Sequence, residues 1–517
     1  MKKSNKVLAL ILGGVSALSM YACGGGGNSE TEIEIAYWDS GLGTGYIEKV
    51  VDAFKKDYPQ YSVILDPRGV GTVIATTLNK GAKFNTYDLY ITNEPDAVDR
   101  PYMETLNDIL TATAPGDSMT IGEKYNPTIL DSLKANDGNY YNLSYYGGII
   151  GITYDSSIID GVKYKEPRTT DELFILASQL YADSEAPAPF IHFKGETGGY
   201  WAYIYETWRA QYEGVDNFYK FFDAEYLKDC TTDADKISAF QTNLSQKDGR
   251  YKVLKYLEKL LNFNYCYNGS NSLDFDEAQT LYLSGNACMM VNGAWMEKEI
   301  QKVNGQVGSY KTMKTPVFSQ ITEKFVGDDK DMDDKTLCEI IDLVDAGTAY
   351  SDTVYPCTEA TYERVKEARN LTPSNATGHT FTIPNYSPAK EASKEFIKFY
   401  YSDKATKIMM DELQLPSVVN YSNGTSHDTS SWSAWSKNSY ELFTNSILFS
   451  YEGKNSKHDV FAYGKPGAYG RVSLIKYLSA DSTTTSYMDA DGIWALIESE
   501  TAKNAKYYLI QSGDVRG

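Results

Sequence analysis

The chain has 517 residues, 42% apolar and 23% charged, with a net charge of −20. That length and apolar content allow two or three domains with substantial cores. So acidic a body is repelled by phosphate backbones, which argues against nucleic-acid binding. The four histidines are far apart and lack any HExxH or similar spacing, so neither a metal nor a cofactor is expected.

Lys2, Lys3 and Lys6 precede an apolar run from Val7 to Leu18. A bilayer span needs ~20 apolar residues, so this run is too short to cross and has the length of a signal-peptide core. Ser19-Met20-Tyr21-Ala22-Cys23 resembles a bacterial lipobox, with Met20 and Tyr21 where Leu and a small residue are usual. This predicts a signal peptide over 1–22, lipidation of Cys23 and a glycine-rich flexible tether over 23–30. A diacylglycerol on Cys23 would hold the secreted protein on the outside of the bacterial cell membrane, since two acyl chains anchor stably where one does not. Loss of the three leader lysines takes the net charge from −20 to −23. The remaining cysteines, Cys230, Cys266, Cys288, Cys338 and Cys357, are odd in number and form no CxxC pair, so at most two bridges are possible.

Glu32 to Trp38 alternates as a strand, with Ile33, Ile35 and Tyr37 on one side. The glycine-rich turn Asp39–Gly45 leads to a helix with Ile47, Val50, Val51 and Phe54 on one face, stopped by Pro59. Its GxGxG spacing is not the dinucleotide fingerprint GxGxxG. A strand over 61–65, a helix through Val73, Ile74, Thr77 and Leu78, and a strand over 87–91 complete βαβαβ. Such a unit implies a mostly parallel sheet with helices on both faces and ligands beyond the carboxyl ends of the strands. Trp38, Asp39, Asn93 and Glu94 lie at those ends. Tyr145 and Tyr146 lead into a crossing strand over 148–154. Thr169 and Glu172 have capping-box spacing ahead of a helix faced by Leu173, Leu176, Ala177 and Leu180. Residues 200–212 form an aromatic helix. A helix over 275–284 precedes the strand Ala287–Val291 and Asn292-Gly293-Ala294-Trp295, where glycine is expected to supply unusual backbone angles. The acidic run 328–334 lacks the glycine and glutamate of an EF-hand loop and reads as solvated surface. A strand resumes at Phe381-Thr382-Ile383 before a helix ending near Ser402.

These landmarks together resemble the extracellular solute-binding proteins of ABC importers, in the branch that includes maltodextrin-binding proteins. The matching pieces occur in order: Trp38, Phe54 with Pro59, Lys80-Gly81, Tyr87-Asp88, Gly138 to Tyr141, Gly151 to Asp155, and Pro167 with Thr169 to Leu173. Phe275 to Gln279, Leu283 to Ala287, Met289 to Trp295, Ser387 to Ala392 and Phe396 to Phe399 complete them. The chain is longer than typical members, and 215–250, 305–378 and 420–517 fall outside the clear correspondence. The resemblance implies an α/β, two-lobed periplasmic-binding-protein-like (type II) fold with the ligand cleft at the hinge. It places 31–142 with 379–420 in lobe one and 143–378 with 421–517 in lobe two. It further implies a monomer that binds by lobe closure, breaks no bond, needs no cofactor, and hands its ligand to membrane permease subunits.

A sugar presents apolar C–H faces and a hydroxyl rim, suited to aromatic rings flanked by carboxylates and amides. The chain carries 43 tyrosines and 7 tryptophans. Trp38, Asp39, Asn93, Glu94, Tyr145, Tyr146, Trp201 and Trp295 are therefore the expected ligand-binding residues, for a mono- or oligosaccharide. A polyamine or another non-sugar solute is the alternative, since acidic residues could pair its amines. An anchored glycoside hydrolase would need two facing carboxyls, and no GxSxG nucleophile motif is present.

Overall fold

The computed structural model describes residues 30–511, apart from 40, 69–72, 94, 96, 136, 194–199, 223, 305–307, 375, 377–378 and 450–474, together with 514–516. The leader, Cys23 and Glu94 lie outside the described residues. Two lobes are built on two sheets.

The first sheet begins with β1 (Glu32–Trp38), β2 (Ser62–Arg68) and β3 (Leu89–Asn93), with β1 parallel to both neighbours. Ile33, Ile35 and Tyr37 are buried on one face and Ala36 on the other, as a sheet covered on both sides requires. Helix Gly45–Asp57 covers one face by burying Tyr46, Ile47, Val50, Val51 and Phe54. The Phe54 ring meets Phe396 and Phe399 edge-on. Strand β3 starts two residues later than its apolar run suggests, because Asp88 is used sideways. Its carboxylate accepts from the Glu34 amide and the Ser387 hydroxyl, tying the strand's entry to a distant loop.

The chain leaves this sheet through β4 (Leu143–Ser144) and enters the second at β5 (Ile150–Asp155). The second sheet adds β6 (Ala188–Phe190), β7 (Ala287–Gly293) and β8 (Tyr310–Thr312), in the order β6-β7-β5-β8. β6 and β7 are parallel, while β5 returns antiparallel to β7 and β8. A short strand β9 (Leu371–Pro373) precedes the return to the first sheet as β10 (His379–Thr382), which lies antiparallel between β3 and β4. Strand β11 (Ile447–Phe449) pairs with β9. Three tyrosine hydroxyls fix the exit strand β4. Tyr125 and Tyr401 donate to the Ser144 carbonyl at 3.1 and 2.6 Å, and Tyr400 donates to that of Tyr145 at 2.7 Å.

Lys124, fully buried, pairs with Asp117 and with Asp403 at 2.7 Å, pinning helix Asp403–Leu413 to the first lobe. Asp403 in turn accepts from Ser422, and His427 lies against Asp411, so the turns just beyond 420 pack on the same lobe. Helix Ala434–Asn445 then packs on β8, with Trp435 donating to Thr312.

Segments without a sequence-level assignment form an added layer. Helix Asp233–Ser245 packs along the C-terminal helix Ala490–Gln511 through Phe240, Leu244, Ala505, Tyr508 and Leu509. Beneath it, Arg209 is buried with Glu206 and Glu213. The acidic run is solvated as expected at Asp328, Lys330, Asp331 and Asp333, with one exception. Asp329 is buried and accepts from the amide and hydroxyl of Thr358, while Asp333 caps helix Asp334–Asp345 through the Thr336 amide. The Thr169–Glu172 box is half-formed: Thr169 accepts from the Glu172 amide, but Glu172 reaches back to Arg168 instead. Cys230, Cys266, Cys288, Cys338 and Cys357 are free thiols. Among the described residues no helix is long and apolar enough to cross a membrane, and no cluster of three potential metal ligands occurs.

Candidate functional site

Two aromatic walls rise from the carboxyl ends of the parallel strands, one in each lobe. The first begins with Trp38, the last residue of β1 and only partly buried. Because β10 runs antiparallel to β3, its first residue, His379, lies level with Asn93. The His379 ring stacks on Trp38, centroids 5.1 Å apart and planes 11° from parallel. Behind it stand Tyr145, whose hydroxyl lies 3.2 Å from His379 Nδ1, and Tyr146, whose ring centroid is 5.0 Å from the imidazole. Both tyrosines are 1% exposed, so they support the wall rather than form its open surface. Asp39 opens the adjoining turn, its carbonyl accepting from Gly43, and Tyr37 donates its hydroxyl to the Gly43 carbonyl at 2.7 Å.

The second wall centres on Trp295, which follows β7. Its ring lies directly on Gly293, where any Cβ would fall within the indole. Gly293 is thus needed for space; its φ lies outside the left-handed region, contrary to the backbone role expected of it. Tyr200 crosses the indole edge-on at 5.5 Å, and Phe275 and Phe193 extend the cluster. Tyr200 holds a left-handed backbone (φ 39°, ψ −1°), an uncommon state for a bulky residue that costs about 1–2 kcal/mol. It is the residue before helix Trp201–Glu213, and this strained entry sends its ring onto Trp295 while Trp201 turns inward. Trp201 is wholly buried, packed on Phe190 and Trp208, and offers no face to the cleft.

The walls approach at the rim. A Cβ on Gly41, which has φ 81°, would collide with the Glu299 side chain on helix Met296–Asn304. Only a glycine in the first lobe's turn lets that carboxylate come so close. Glu299 also accepts from Gln279 at 3.0 Å. Lys298 on the same helix has its ammonium pKa pushed down by burial, against an opposing pull from Glu297 and Glu412.

Burial lowers the His379 imidazole to about 4, so it is neutral at physiological pH. His192, just past β6 and behind the second wall, is likewise lowered to about 4 by burial, with Asn271 Oδ1 3.0 Å from its Nε2 partly opposing. The structure thus joins Trp38, Asn93, Tyr145 and Tyr146 around His379, and sets Trp295 beside Tyr200. The two joining residues were not anticipated. Nothing local marks His379, since its place depends on β10 crossing back from the other lobe. The sequence places Tyr200 inside an aromatic helix over 200–212, whereas the structure starts that helix at Trp201 and leaves Tyr200 just outside it.

Residues 40–407 match the family model described as bacterial extracellular solute-binding protein. No curated protein sequence matches the chain. Several solved structures share the fold. The bacterial solute receptor AcbH, reported with an exclusive preference for β-D-galactopyranose, is 12% identical, with a TM-score of 0.58 over 93% of this chain and 99% of its own. The GacH receptor of Streptomyces glaucescens, solved free and with acarbose, is 14% identical, with a TM-score of 0.56 over 94% of this chain and 100% of its own. The apo form of RafE from Streptococcus pneumoniae is 13% identical, with a TM-score of 0.58 over 92% and 99%.

Proposed function

This chain belongs to the bacterial extracellular solute-binding proteins, and from that membership we propose that it captures a mono- or oligosaccharide in the cleft and delivers it to an ABC importer. It is a receptor and not an enzyme. The observation that carries the saccharide reading is the pair of aromatic walls, Trp38 in one lobe and Trp295 with Tyr200 in the other. Rings on opposite sides of a cleft suit a ligand with two apolar C–H faces, and Asp39 and Asn93 adjoin the first wall to bond its hydroxyl rim. Similar folds supply the chemical range to test: galactose for AcbH, raffinose for RafE, and chitin oligosaccharides for another receptor.

Binding energy would come from contacts made by both lobes at once, so the ligand favours the closed state over the open one. The closing bodies are the first-sheet body, 31–142 with 379–420 and the turns just after, and the second-sheet body of 143–378 with the remaining C-terminal chain. Cys23 would tether the protein to the outer face of the cell membrane through residues 23–30, leaving the lobes free to meet membrane permeases. A serine at 23 should then release the protein from detergent-free membrane fractions without changing its melting temperature. Equal retention of that variant would reject the anchor.

The test of the ligand class is calorimetry with galactose, raffinose, chitotriose, putrescine and spermidine. Ligand at one hundred times its dissociation constant should also raise stability by about 2.7 kcal/mol. Saturable saccharide binding supports the reading; binding of the amines alone overturns it.

A further inference from the structure

We propose that His379 is the positioning residue for Trp38: an imidazole, delivered by the strand that returns from the other lobe, that holds the indole as a preset platform in the cleft. This rests on the reading of Trp38 as a ligand-contacting ring.

Trp38 sits at the end of an ordered strand, with its side chain only partly buried. A partly open indole pays conformational entropy whenever a ligand orders it. The near-parallel stack with His379 settles that ordering before the ligand arrives. His379 can serve because it is itself fixed from three directions. Its backbone pairs with Asn93 on one side, and its carbonyl accepts from the Tyr145 amide on the other. Its Nδ1 meets the Tyr145 hydroxyl, and the Tyr146 ring closes the back. Tyr145 is in turn held through its carbonyl by Tyr400. The chain of support therefore runs from a buried tyrosine layer through one imidazole to the partly buried indole. Because β10 lies between β3 and β4, the platform is built into the first sheet by a segment that returns from the other lobe.

Two substitutions separate the ring from its nitrogens. His379→Phe keeps a flat aromatic face and loses the contact with Tyr145; His379→Gln keeps a polar partner for Tyr145 and loses the face. The full chain is labelled with 5-fluorotryptophan and the Trp38 signal identified through Trp38→Phe among the seven tryptophans. Without any ligand, His379→Gln should shift or broaden the Trp38 fluorine signal and leave the other six in place, and His379→Phe should restore it. With raffinose, galactose and chitotriose, His379→Gln should weaken the saccharide that binds by about tenfold, as Trp38→Ala does. Combining the two should cost no more than either alone, the mark of residues acting through one contact. An unmoved Trp38 signal in His379→Gln, or additive losses in the double variant, would overturn the proposal. If none of the three saccharides binds, the saccharide reading falls while the fluorine signal still decides the role of His379.

Discussion

The two walls reach a similar end by opposite means. In the first lobe, Trp38 and His379 sit at the ends of regular strands, and ladder hydrogen bonds set their ring positions. In the second, Trp295 and Tyr200 sit on irregular backbone, one over a glycine that leaves room for its ring and one in a left-handed turn. Regular pairing places a ring without strain. The irregular wall stores strain and depends on single residues, so substitution should damage it more sharply.

Gly293→Val tests that dependence most severely. Its Cβ would occupy the Trp295 ring's position, so the indole must leave. Overpacking should cost about 1–3 kcal/mol of stability, and saccharide binding should be lost. A melting temperature and affinity equal to the parent's would show that the glycine crevice is not needed. Next in size, Trp295→Ala and Trp38→Ala should each weaken binding about tenfold or more in calorimetry. Trp295→Ala should also lower the melting temperature, because Trp295 is 7% exposed whereas Trp38 is more open. Equal stability losses would erase the contrast between the walls.

Tyr200→Asn should separate strain from function. Asparagine tolerates the left-handed region, so about 1 kcal/mol of backbone strain is relieved, offset by lost ring packing. Stability should change little while affinity falls, as read by parallel denaturation and binding curves. A large stability loss without an affinity change would make Tyr200 a packing residue.

A change of pH alone, with no substitution, should affect the two walls alike. His379 and His192 both have folded pKa values lowered from 6.5 to about 4. Between those values the unfolded chain binds more protons than the folded one, so stability is complete above 6.5 and is lost as pH falls toward 4. Denaturant melts at pH 7.5 and 5 should differ by roughly 2–4 kcal/mol, and His192→Gln and His379→Gln should each flatten the slope. A pH-independent stability across this window would mean that neither imidazole is held neutral.

How much of this was legible is clearest at particular residues. Strand β1 was readable to its last residue, Trp38, because strict alternation of Ile33, Ile35 and Tyr37 has one physical meaning. The helix after it was readable for the same reason. Helix Asp233–Ser245 was not, since it buries only Phe240 and Leu244 and exists by packing on the C-terminal helix. Asp329 looked like surface charge because a sequence cannot show that Thr358 will supply its hydrogen bonds.

The family, the βαβαβ start and the strand end at Trp38 were legible from the residues alone, because local periodicity and ordered landmarks are carried by neighbouring residues. Tertiary packing alone fixed which rings are buried and which stay partly open. Trp201 was turned inward by a strained entry to its helix, and Trp38 was paired with an imidazole 341 positions away. That partner arrives through a crossing strand, and contacts between segments so far apart depend on the closure of the whole chain rather than on anything written near either residue.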